Sequence, residues 1–177
     1  MSDLVTRTVH DLSGHMNRVR AALEVLEAAG RGDAVLCGAD RRRLSGAGHF
    51  PAYGRELDWT AREVAGHLTD SAKVFAQRVH QFLADGGPPC LIPFDPLDEE
   101  RVAAYGAVCL AEALDRLSAA QSGLRTTILD IPASELHREG QRAIGGIITL
   151  ADLIRFLPGH QHDHAVQVEF MADGGSS

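Results

Sequence analysis

Three histidines stand where they can do chemistry together: His67 in W-T-A-R-E-V-A-G-H-L-T-D, and His160 with His164 in P-G-H-Q-H-D-H-A-V-Q. His160 and His164 are four positions apart, which on a helix places them on one face, about 5–6 Å apart at Cβ. Two imidazoles at that spacing can share one divalent cation. A third from a facing helix completes a three-histidine site with open positions for water or substrate. Imidazole suits zinc, nickel, copper and iron alike, so the ligand set does not choose the metal. A single histidine on an apolar face is usually structural. Two neutral imidazoles on one turn have little reason to be buried together unless something satisfies both rings.

The polar residues around these motifs have several roles open to them. Asp70, one turn beyond His67, can orient a ligand by accepting its second N–H, act as a base on water, or sit as a solvated helix charge. His162 lies between the two expected ligands on another helical face, as a second candidate base or an exposed side chain. Gln167, one turn after His164, can hold a ligand ring in place. Arg78 can pair an anionic group of a substrate or cofactor, reach Asp70, or lie on the surface. His10, His15, His49, His80 and His137 show no pairing logic. Cys37, Cys90 and Cys109 are widely spaced without a C-x-x-C motif, and read as reduced thiols. No serine-hydrolase elbow, phosphate-binding loop or dinucleotide fingerprint is present.

The elements that must position these groups are helical. Val9, Leu12, Met16, Val19, Leu23 and Leu26 recur at spacings of three and four, predicting a first helix that ends near Gly30. Leu36 to Asp58 is rich in Gly and Arg and reads as an irregular connection. Thr60-Ala-Arg-Glu63 is a capping box opening a second helix to about Ala84, with His67 at the edge of its buried stripe. Gly86 to Pro96 carries too many prolines for a helix; it is a wall or lid for a pocket, or simply a crossover. A long third helix is predicted from Leu97 to Leu129, then a polar turn region over 131–146. Thr149-Leu-Ala-Asp152 caps a fourth helix that runs to about Met171 and bends at Pro158-Gly159. Four amphipathic helices without a convincing strand predict an all-α, up-and-down four-helix bundle over residues 1–172, with a flexible tail at 173–177. For one ion to meet all three histidines, the second and fourth helices must be neighbours.

Composition narrows the partners. The net charge is −7, and Arg41-Arg42-Arg43 is the single basic run, too short for a nucleic-acid surface. No apolar stretch is long enough to span a membrane, and the first 30 residues lack a secretory pattern, so a cytoplasmic protein acting on a small molecule is expected. Of the 17 basic residues only Lys73 is a lysine, which with the abundant Ala and Gly points to a G/C-rich genome.

In W59-T-A-R-E63-V-A-G-H67-L-T-D70 with Arg78, then Gly140 to Gly146, I148-T-L-A-D-L and H160-x-x-x-H164-x-x-Q167, the chain resembles the DinB-like family of metal-binding four-helix bundles. The resemblance spans roughly residues 10 to 170. It implies a divalent cation, commonly zinc or nickel, on His67, His160 and His164, and it is compatible with a homodimer. Many relatives carry a histidine just before the glycine that precedes the fourth helix, where this chain has Arg142. Family activities include S-transfer and isomerisation with low-molecular-weight thiols, and the G/C-rich composition makes mycothiol the thiol of choice. The leading expectation is thus a metal-dependent thiol S-transferase or isomerase. A hydrolase using metal-activated water, with Asp70 or His162 as base, is the alternative, and a non-catalytic metal-binding stress protein is the third.

Overall fold

A computed structural model of the chain describes residues 3–174. Six α-helices are found among them: α1 (Asp3–Ala28), α2 (Gly38–Leu44), α3 (Ala61–Leu83), α4 (Glu99–Gly106), α5 (Leu110–Leu129) and α6 (Leu150–Asp173). A short antiparallel hairpin, β1 (Glu139–Gln141) with β2 (Ile147–Thr149), precedes α6. Both predicted capping boxes form, Thr60 with Glu63 at α3 and Thr149 with Asp152 at α6. Each threonine hydroxyl accepts an early amide that has no partner within the helix, while the acid returns to the cap's own N–H. No helix of the described residues is long and apolar enough to cross a membrane.

The long helices α1, α3, α5 and α6 form the bundle, and their order corrects the up-and-down expectation. One core cluster joins Val19, Leu23 and Leu26 of α1 to Val64 and Leu68 of α3, Leu110 and Leu117 of α5, and Val168 and Met171 of α6. The second joins Val5, Val9 and Leu12 to Val79 and Phe82, Leu124 and Ile128, and Leu150 and Ile154. α1 and α6 therefore run parallel to each other, and α3 and α5 run parallel to each other in the opposite sense. α1 packs mainly on α6 and α3 mainly on α5; α1 also packs on α5, and α3 meets α6 along a thinner seam.

Parallel α3 and α5 require a connection that travels the length of the bundle, and residues 84–109 supply it. Its Pro-rich start is strapped down at several points: Arg78 donates to the Ile92 carbonyl, Gln81 bonds the backbone of Cys90 and Ile92, and Gln141 of β1 pairs with Pro89 and Leu91. The predicted single helix over 97–129 is in fact two. α4 ends at Gly106, and α5 restarts after Cys109 caps it, because α4 must lie on α3 before the chain turns into α5. Gly66 makes that contact close, since a Cβ there would overlap the Tyr105 ring.

Three smaller expectations also change. The connection over 36–58 contains α2 and a 3₁₀ turn at Gly54–Asp58, and the polar region before α6 contains the hairpin. α6 continues through Pro158 and includes Asp173, while residues 175–177 of the expected tail lie outside those described.

Candidate metal centre

His67 lies in the second turn of α3, and His160 and His164 lie on adjacent turns of α6, all three facing the α3–α6 seam. Their exposures are 2%, 9% and 0%. The ring centroids are 5.3 Å apart for His67 and His160, and 4.9 Å for each of the other two pairs. The Nε2 atoms of His67 and His160 stand 3.1 Å apart, with the Ser71 hydroxyl 3.3 Å from the former. Two nitrogens bonded to one cation at about 2.0–2.1 Å would be separated by about 3.0–3.4 Å. Burial holds all three imidazoles well below their ordinary pKa, and their histidine neighbours push in the same direction. They are neutral, the state that metal binding requires.

The tautomer of His164 follows from its surroundings. Gln167 donates through Nε2 to the Glu56 carbonyl at 2.7 Å, which turns its Oε1 toward His164 Nδ1 at 2.8 Å. Nδ1 must then carry the proton and donate it to Gln167. The lone pair is left on Nε2, which is buried and has no hydrogen-bond partner. An acceptor so enclosed is costly unless a proton or a cation meets it. The residues present therefore fit a divalent ion.

Two residues not anticipated from the sequence complete the cluster. Glu56, on the 3₁₀ turn before α3, is 2% exposed, and its Oε2 lies 3.6 Å from His164 Nε2. His49 approaches from the preceding loop: Nε2 is 2.6 Å from Glu56 Oε2 and Nδ1 is 2.8 Å from Asp163 Oδ2. Burial alone would lower the His49 pKa, but hydrogen bonds to Glu56 and Asp163 and their charges outweigh it and raise it. His49 is thus an imidazolium clamped between two carboxylates. Gly48 makes the clamp possible: its φ is +56°, and a Cβ there would overlap the Asp163 carboxylate. Among the described residues, two triads have ligand atoms within 4.8 Å of one another, His49–His160–His164 and Glu56–His67–His164. They share His164. Because His49 spends both nitrogens on carboxylates, we favour Glu56 as the group that accompanies the three histidines.

The other residues singled out from the sequence form no bond to the three histidines. Asp70 accepts from the Tyr105 hydroxyl at 2.9 Å and faces Arg101 and Lys73, so its hydrogen bonds hold α4 rather than a histidine. His162 points out of the bundle beside Arg18 and His15. Arg78 straps the crossover. Cys37, Cys90 and Cys109 are free and exposed. The sole hint of Glu56 in the sequence is an acid inside R-E-L-D-W, directly before the cap of α3, and the other acid of that segment, Asp58, is bonded to Arg41 on the surface. Nothing in the spacing separates the two.

The family model of the DinB superfamily matches residues 18–168, and the chain belongs to that superfamily. Among curated proteins none matches it significantly in sequence. Among solved structures it is similar to YfiT from Bacillus subtilis, described as a probable metal-dependent hydrolase with an unusual four-helix bundle topology. The TM-score is 0.75 at 18% identity, over 100% of this chain and 91% of that one. It is also similar to a mycothiol-dependent maleylpyruvate isomerase, with a TM-score of 0.67 at 13% identity, over 95% of this chain and 63% of the other. At these identities the likeness is one of fold.

Proposed function

We propose that the protein is a metal-dependent hydrolase of a small molecule, with His67, His160 and His164 holding the ion and Glu56 serving as the base. The observation that carries this reading is the buried Glu56 carboxylate 3.6 Å from the His164 Nε2 lone pair, fixed there by the His49 imidazolium. A bound divalent cation supplies Lewis acidity, lowering the pKa of water and polarising the substrate. Glu56 takes the proton from the attacking water and returns it to the leaving group as the substrate bond breaks. His49, anchored by Asp163, keeps the carboxylate in place, and Gln167 keeps the His164 lone pair aimed inward. Substitution of a hydrolase base costs about 10²–10⁴ in rate.

A second reading, thiol transfer with mycothiol or a similar cofactor, draws on the second structural neighbour and on the three cysteines being exposed and outside both ligand triads, which leaves any thiol to come from outside. The two are separated by one experiment. The zinc- or nickel-loaded protein is offered a panel of esters, amides and thioesters in ¹⁸O-water, with and without added thiol. Thiol-independent turnover with ¹⁸O in the product is expected, and Glu56→Gln should lose it while keeping its metal. Turnover that demands thiol and leaves the product unlabelled would replace hydrolysis with transfer.

A further inference from the structure

Three aromatic rings from three different segments surround the histidine cluster. Tyr53 meets His49 at 5.9 Å, Phe94 of the crossover stacks at 5.9 Å from His67, and Phe156 of α6 meets His160 at 5.6 Å. Tyr53 is 42% exposed and Phe156 48%; no other Phe, Tyr or Trp of the described residues is as open. Exposed aromatic surface is unfavourable in water, and its concentration around one buried polar cluster marks a ligand-facing collar. Behind Phe156 lies the buried Phe75 ring, 5.8 Å away and 6.3 Å from His160, and over Phe75 sits the Arg78 guanidinium at 5.4 Å.

Arg78 is half-buried, yet its hydrogen bonds run through Nε and Nη2 to one backbone carbonyl, that of Ile92. No carboxylate of the described residues pairs with it. A half-buried guanidinium with no acid beside it is stabilised by an anion. In a chain of net charge −7 such a cation stands out.

We infer that the substrate is an anionic molecule with an aromatic or flat apolar body, its reacting bond at the histidine cluster, its body on Phe156, and its carboxylate or similar anion on Arg78. This rests on the reading of the histidine cluster as the reactive centre. The guanidinium offers the free Nη1 edge to an oxyanion, while the stacked Phe75 face keeps it aimed along the seam.

The test uses 3-phenylpropanoate and its neutral amide as probes of the full-length protein, metal-free and cobalt(II)-loaded, by calorimetry and visible spectroscopy. Loading itself checks the metal reading, since a cobalt spectrum that survives in His160→Ala would overturn that reading alone. The carboxylate should bind both forms about 10–100-fold more tightly than the amide, without altering the cobalt bands. Arg78→Gln should erase the difference and leave amide binding unchanged. Phe156→Ala should weaken both probes equally. Should Arg78→Gln fail to fold, Arg78→Lys, which keeps the charge and loses the forked donors, should sharply reduce the anion preference and leave amide binding unchanged. Equal affinity for acid and amide overturns the proposal. So does a preference that persists in both arginine variants, or one that reports as a cobalt spectral shift.

Discussion

One helix presents two histidine clusters, and they behave oppositely. On the inner face of α6, His160 and His164 meet His67 in a buried seam where ring nitrogens face one another and His164 Nε2 has no donor at all. On the outer face, His162 lies 5.0 Å from the His15 ring, beside Arg18, which is in turn paired with Glu169 at 2.6 and 2.8 Å. The outer group has an ion pair as short as the 2.6 Å contact of His49 with Glu56, yet it asks for nothing more. Solvent reaches it and every charge is answered. The inner group is neutral, enclosed and incomplete. Closeness of histidines is therefore a poor marker of a site; burial combined with an unmet lone pair is a good one.

The sharpest way to break this contrast is to remove a ring from each side. His164→Ala should cut metal affinity by more than about 100-fold, since even residues that merely orient a ligand cost 10–100-fold. His162→Ala should leave metal content unchanged. Elemental analysis after dialysis against a weak chelator decides it, and equal metal in the two variants would dissolve the distinction.

Acid should act on the inner cluster next. His67, His160 and His164 have folded-state pKa values lowered from 6.5, so each contributes stability that is present above 6.5 and is lost as pH falls below it. His49 has the opposite sign: its value is raised, so its contribution is present below 6.5 and is lost as pH rises through the folded value. Three groups outweigh one, and the metal-free protein should melt progressively lower between pH 7 and pH 5. A melting temperature that rises on acidification over that range would contradict the neutral assignment. Metal loading should deepen the dependence, because protons compete for the same nitrogens.

Gly48→Ala probes the clamp from outside the cluster. A side chain there is strained at φ +56° and meets the Asp163 carboxylate, so about 1–3 kcal/mol of stability should be lost in chemical denaturation. The smallest effect belongs to the outer group. Arg18 and Glu169 are each 36% exposed, and Arg18→Ala should cost no more than about 1 kcal/mol after solvent screening. A larger loss there than at Gly48 would reverse the ranking of the two faces.

The helices and both caps were legible because periodicity and capping are local properties of the chain. His67, His160 and His164 were legible for a related reason, a spacing that a helix converts directly into a shared face. Glu56 and His49 were not, because they sit in a segment without period, and their meeting depends on α6 arriving with Asp163 and Gln167. The break between α4 and α5 was invisible as well: Val102, Tyr105 and Val108 continue the apolar spacing across it, and the crossover geometry alone requires the turn. Topology lay beyond the same horizon, since amphipathic faces state that helices pack but not which pairs run parallel.

The pairing of α1 with α6 has a kinetic consequence. Arg18 and Glu169 are 151 positions apart, so the first helix finds its main neighbour in the last one. Bundles joined by short loops fold fast because most of their contacts are local; closing long loops before any reward slows the search. This chain should therefore refold more slowly than a hairpin-connected bundle of its size. Its histidine cluster matures late, when α6 docks and brings the lone pairs of two helices into one seam.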